Sequence, residues 1–135
     1  MIGRITVLRT CRTWVSALAA LLFVHPVAAE DGASLFAQNC VACHQAKGQG
    51  IPGAFPALSR NAFVMGDPQA VATTLLNGRG GMPSFKGSLD DAQLAAVASY
   101  IRSNWGNAAA PIDAALFGSA RQGASSTANR PMPVH

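Results

Sequence analysis

The sequence predicts a small all-α domain folded around a ligand, and three observations carry that prediction. No segment alternates polar and apolar residues with the period of two that marks a half-buried strand. Two segments, 67–78 and 88–106, place apolar residues at helical spacing between a capping residue and a glycine stop. After Cys40 large apolar side chains are few and alanines many. At ~25 cal/mol per Å² such helices bury modest area by themselves, so something else apolar has to complete the core.

The chain opens with Arg4, Arg9 and Arg12, continues through an apolar run from Trp14 to Val24, and reaches the small-residue stretch HPVAAED. That order reads as a signal peptide, residues 1–29, with cleavage expected after Ala29. The apolar run is too short to span a bilayer, which takes roughly 20 residues. Cys11 precedes the run and leaves with the signal. The remaining 135 − 29 = 106 residues suffice for one domain. The formal charge of +4 over the full chain shrinks with them: three of the ten Lys and Arg lie in the signal, leaving seven against six acidic residues. Near-neutral charge gives no basis for nucleic-acid binding.

A domain over 30–106 begins with DGASLFAQNCVACH, where Leu35 and Phe36 precede Cys40 by one turn, so a first helix runs into the pentad CVACH. Zinc requires four ligands, usually as two pairs, and no second pair follows. A thioredoxin-like redox pair needs a strand before it, and none is predicted. A plain Cys40–Cys43 disulfide suits an exported chain but closes a very small loop, which restricts the unfolded chain little. Haem attachment accounts for both cysteines, their spacing and the histidine together. Each thiol adds to one vinyl group, and His44 becomes the proximal iron ligand.

The segment KGQGIPGAFPALSRN is a long Gly/Pro-rich loop whose Ile51, Phe55 and Leu58 need something apolar to cover. Next, DPQAVATTLLNG has Asp67 as N-cap, Pro68 at the first helical position and Gly78 past the end, a helix of about three turns. Met82 follows in GRGGMPSF, where Gly80 and Gly81 allow close backbone approach to a flat ring and Pro83 stiffens the loop; it is the distal ligand we expect. Met65, beside Phe63 and Val64, competes for that role but reads as core, and Met132 lies in a Pro-flanked tail. An open or differently filled sixth position is the remaining alternative, and with it a haem enzyme or a gas or redox sensor. In SLDDAQLAAVASYIRSNWG, Ser88 and Asp91 approximate a capping box, Leu94, Val97, Tyr100 and Ile101 share a face, and Gly106 is the stop. Asp90 and Asp91 read as helix-start charges, so no catalytic pair is assigned. Arg60, Arg79 and Trp105 are candidates for hydrogen bonds to haem propionates. Ala42, Gln45, Ile51 and the GMPSF loop are candidates for an uncharged rim where redox partners dock. Residues 107–135 form a C-terminal extension rich in small and polar residues, with a short helix over 113–121 and disorder from Ala124 onward.

Taken together, GASLFAQNCVACH, FPALS, GGMPSF and LAAVASYIRSNWGN resemble the class I c-type cytochromes, single-haem bacterial electron carriers, over about 31–115. The resemblance implies three to five helices wrapped around one covalently attached haem c with His44/Met82 ligation. It also implies a crossing of the first and last helices at Gly32, Phe36 and Tyr100, and a Pro56 carbonyl that accepts from His44 Nδ1. YIRSNWGNAAAPI is similar, more narrowly, to haem subunits of periplasmic dehydrogenases. The function implied is periplasmic electron transfer from such a dehydrogenase to the respiratory chain through a downstream cytochrome or terminal oxidase. The chain would be no enzyme itself and would meet the membrane only through a complex.

Overall fold

The computed structural model describes residues 31–128, with side chains as far as 123. Among these residues there are six helices: α1 (Gly32–Asn39), α2 (Val41–His44), α3 (Ala62–Met65), α4 (Pro68–Asn77), α5 (Asp91–Ser103) and α6 (Ala114–Ala128). The sequence reading expected three to five. The excess is the single turns α2 and α3, each four residues long and too short to carry a periodic pattern.

Local chemistry explains most boundaries. The Asp31 carboxylate caps α1 by accepting from Ser34 N at 2.8 Å, and these Ser34 bonds hold its pKa below the ordinary value. Asp67, Pro68 and Gly78 frame α4 as expected; Asp67 accepts from Gln69 N, and Gly78 turns the chain at φ 75°. At α5 the capping box is two residues later than the sequence suggested: Asp90 and Gln93 exchange the two bonds, while Ser88 Oγ turns back to Phe85 O. That helix ends at Ser103 with Asn104 as cap, before Gly106.

α1 crosses α5 at Gly32. A Cβ there would lie 2.6 Å from Tyr100 Cβ and overlap the Ala96 carbonyl, so only glycine permits this approach. One turn on, the Phe36 ring meets Tyr100 at 5.8 Å and Trp105 at 4.8 Å, and Tyr100 stands edge-on to Trp105 at 5.4 Å. Leu35, Phe36, Leu76, Leu94 and Val97 form the centre of the core.

The largest departure from expectation is the C-terminal extension. Ile112 is buried, and Ser99 Oγ both donates to its carbonyl and accepts from its N–H, which lays the connector along α5. Asp113 then accepts from Leu116 N, and α6 continues to Ala128, past the point where disorder was expected. Phe117 is wholly buried in the main core. A short helix over 113–121 was expected and is present; the helix runs on to Ala128, and one aromatic anchor and the packing of α6 on α4 and α5 make it part of the fold. The signal peptide and residues 129–135 lie outside the described residues. No helix of the described residues is long and apolar enough to cross a membrane.

Candidate haem site

Cys40 is the hinge between α1 and α2: its N–H ends the first helix on Phe36 O, and its carbonyl starts the second by accepting from His44 N at 2.9 Å. The single turn α2 then carries Val41, Ala42, Cys43 and His44. Cys40 and Cys43 form no disulfide with each other. Cys40 is buried and Cys43 half-buried; burial first, then the neighbouring Cys43, push the Cys40 thiol up to about 11.

His44 is buried, and its Nδ1 lies 2.9 Å from the carbonyl oxygen of Pro56. A carbonyl only accepts, so Nδ1 carries the proton and donates. In the neutral ring Nε2 is therefore left with its lone pair, the form in which imidazole binds a metal. The loop that brings Pro56 into place is closed on itself. Gly50 N donates to His44 O at 2.9 Å, Ile51 and Phe55 pair through both backbone groups, and Leu58 N reaches Gly48 O at 2.7 Å.

Met82 is presented by a different device. Arg79 and Met82 exchange backbone hydrogen bonds of 3.2 and 3.0 Å, making a tight turn directly after α4. Gly78 lies under it, where a Cβ would overlap Met82 O and crowd Pro83. Beyond the turn, Phe85 N donates to Leu75 O at 3.0 Å and the Ser84 hydroxyl to Leu76 O, so the loop is tied back to α4 on both sides. The Met82 side chain is half-buried against the core.

Met65 does not occupy the core position that its neighbours suggested. It is 36% exposed, because the single turn α3 points only Val64 inward. Among the described residues four large apolar side chains remain exposed, Ile51, Phe55, Phe63 and Met65, and all come from the chain between His44 and Met82. Of the propionate candidates, Trp105 is committed to the aromatic cluster with Phe36 and Tyr100. The Arg79 guanidinium lies over the Phe63 ring at 5.5 Å, and the Arg60 side chain packs beside Gly106. In the expected docking rim Ala42 and Ile51 are exposed, whereas Phe85 is buried and belongs to the core.

Two functional supports were missed in the sequence. Arg102 is buried and donates from Nη1 to Val64 O at 2.6 Å and Gly66 O at 3.1 Å, and from Nε to Ala110 O at 2.8 Å. Asn107, also buried, donates to Leu58 O and Ile101 O, both at 2.8 Å, and accepts from Asn61 N at 3.0 Å. Between them they fasten the segment 58–66 to α5. Among the described residues no buried side-chain nitrogen or oxygen lacks a partner. An arginine and an asparagine at a helix end read as surface, and only partners some forty positions away make them structural.

The residues fit a covalently held haem: two thiols and a metal-ready imidazole at one helical turn, a soft thioether on a separately braced loop, and exposed apolar side chains in the stretch of chain that joins them. A family model described as cytochrome c oxidase, cbb3-type, subunit III, matches residues 27–101, more than half of the chain. The chain belongs to the c-type cytochromes. Cytochrome c6 of Leptolyngbya boryana is 40% identical over 76 residues, 54% of this chain and 88% of that protein. The cbb3-type cytochrome c oxidase subunit FixP of Bradyrhizobium is 39% identical over 98 residues, 70% of this chain but 33% of its own length. The cytochrome c subunit of a quinone alcohol dehydrogenase from Gluconobacter oxydans is 33% identical over 88 residues, 56% of this chain and 18% of its own. This c-type cytochrome is thus a haem-based electron-transfer protein with covalently bound haem c, and not an enzyme. The family match stops inside α5, so α6 lies beyond it.

Proposed function

We propose that the protein is a periplasmic electron carrier with one haem c, held through thioethers to Cys40 and Cys43 and ligated axially by His44 Nε2 and Met82 Sδ. In this reading it accepts electrons from a dehydrogenase and passes them to the respiratory chain, as a free carrier or as a bound subunit. The observation that carries the reading is the hydrogen bond between His44 Nδ1 and Pro56 O, because it selects the tautomer that offers Nε2 to a metal. When bound, the haem supplies one-electron chemistry between ferrous and ferric states. The protein's part is to orient and to tune. His44 is held by backbone on both sides, and the Met82 thioether, a soft donor, favours the reduced state and raises the potential. Exposed Ile51 and Ala42 offer uncharged surface for partners that dock and leave quickly.

The relatives named as an oxidase subunit and a dehydrogenase subunit support redox partners on either side of the carrier. Export is supported by the basic, apolar and small-residue order of residues 1–29, and the exported protein is expected to begin at Glu30. The deciding experiment is the absorption spectrum of the exported protein, ferric and ferrous, for wild type and Met82→Ala. A ferric methionine-to-iron band that vanishes in the variant supports the His44/Met82 reading. A wild type that lacks that band and binds carbon monoxide readily overturns it in favour of an open sixth position.

A further inference from the structure

The loop that presents Met82 is held from its far side by the C-terminal helix. Arg121, in the third turn of α6, donates from Nη2 to Leu89 O at 2.7 Å and from Nη1 to Lys86 O, and its Nε pairs with the Asp91 carboxylate. One planar guanidinium therefore ties together three points between the Met82 turn and the first residue of α5, four to nine positions after the methionine. Phe117, one turn earlier and wholly buried, fixes the helix from which it reaches. The Arg79–Met82 turn braces the loop on the α4 side; the residues after Phe85 are held by bonds within the loop, by the buried Leu89, by the Asp90–Gln93 capping box and by Arg121. The exposure of the ion pair, 23% and 34% for the two side chains, makes its Coulomb energy small. What the arginine provides is geometry: a rigid fork that satisfies carbonyls at fixed positions, which a point charge cannot do.

We infer that Arg121 is a positioning residue for the axial methionine: by clamping residues 86–91 it holds the Met82 loop closed and opposes displacement of the Met82 sulfur by other ligands. This rests on the reading of Met82 as the distal ligand. The α6 helix is then a brace on the redox site as well as a cover for the core.

Exogenous imidazole tests it, because its apparent affinity scales with the fraction of molecules whose methionine loop is released. The full-length haem-containing protein is titrated with imidazole at pH 7 as wild type, Arg121→Ala, Arg121→Lys, Asp31→Ala and Met82→Ala, following the ferric methionine band, and thermal unfolding is recorded for each. Arg121→Ala is expected to bind imidazole about tenfold more tightly, with Arg121→Lys intermediate. Asp31→Ala, which removes the N-cap of α1, is expected to lose thermal stability with imidazole affinity within about twofold of wild type. Wild-type imidazole affinity in both arginine variants, with a methionine band that Met82→Ala abolishes, overturns the clamp and leaves the ligation standing. Imidazole affinity that follows unfolding temperature across all variants, Asp31→Ala included, reduces Arg121 to general stability and also overturns it. A band and imidazole affinity unaffected by Met82→Ala overturn the ligation itself, and the clamp with it.

Discussion

His44 Nδ1 donates to the carbonyl oxygen of Pro56 across 2.9 Å, and the eleven residues between them form a loop closed by its own backbone bonds. A side chain is thus oriented by a group that no substitution deletes, only displaces. Replacing Pro56 by glycine frees the backbone and weakens the bond. A less basic imidazole stabilises the oxidised state less, so the reduction potential is expected to rise, by at most the one-electron equivalent of a hydrogen bond, about 20–65 mV. Protein-film voltammetry of Pro56→Gly against wild type measures it; an unchanged or lower potential contradicts the assignment.

The helix crossing at Gly32 sets the second prediction. Gly32→Ala drives a methyl group into Ala96 O and Tyr100 Cβ, both part of α5, and neither is the free end of a flexible chain. Overpacking of this kind costs about 1–3 kcal/mol. For a domain of this size that corresponds to a melting temperature lower by roughly 5–20 °C, read by circular dichroism of the haem-containing protein.

Phe117 tests whether the C-terminal extension belongs to the fold. Phe117→Ala empties a wholly buried position between α6 and the rest of the core and is expected to lose about 3–5 kcal/mol in denaturant unfolding. A passive tail would lose almost nothing.

Arg102 presents the same question for a buried charge. Its guanidinium serves the carbonyls of Val64, Gly66 and Ala110, so Arg102→Ala leaves three acceptors without a donor. A loss of about 2–4 kcal/mol is expected, with hydrogen exchange rising first over residues 58–66. Arg102→Lys, which lacks the fork, recovers only part.

The thiol of Cys40 gives a pH-dependent prediction. In the closed fold its pKa stands at about 11 against an ordinary 9.0, so at pH 8 its thiolate is about a hundredfold scarcer than in an open chain. For a haem-free closed chain the raised pKa favours closure below pH 9 and that contribution is lost as pH rises from 9 to 11; the thioether of the haem-bound protein carries no proton. A buried, protonated thiol is a poor nucleophile, so thioether formation is expected on an open chain. The small apolar core points the same way, to a haem-free chain that is largely unfolded. Haem-free protein is accordingly expected to alkylate at Cys40 and Cys43 at the rate of the urea-unfolded chain, with far-UV circular dichroism short of full helical content. Hundredfold protection at Cys40 or a complete helical spectrum contradicts both.

Much of the local chemistry is legible in the residues alone. The CVACH pentad and the Asp67–Pro68 start and Gly78 stop of α4 are legible because each depends on neighbours within a turn, whereas the glycine at the α1–α5 crossing was implied only by the family resemblance. Where two local solutions overlapped, the reading slipped. Ser88–Asp91 and Asp90–Gln93 are both plausible boxes, and the structure uses the second because both of its side chains find backbone partners. The exposure of Met65 and the burial of Arg102 follow from long-range packing. The tertiary structure alone revealed that α6 reaches over the loop of Met82 through Arg121. These depend on carbonyls and apolar surfaces 30 to 40 residues distant, and a side chain's period or polarity carries no information about partners that only folding brings near.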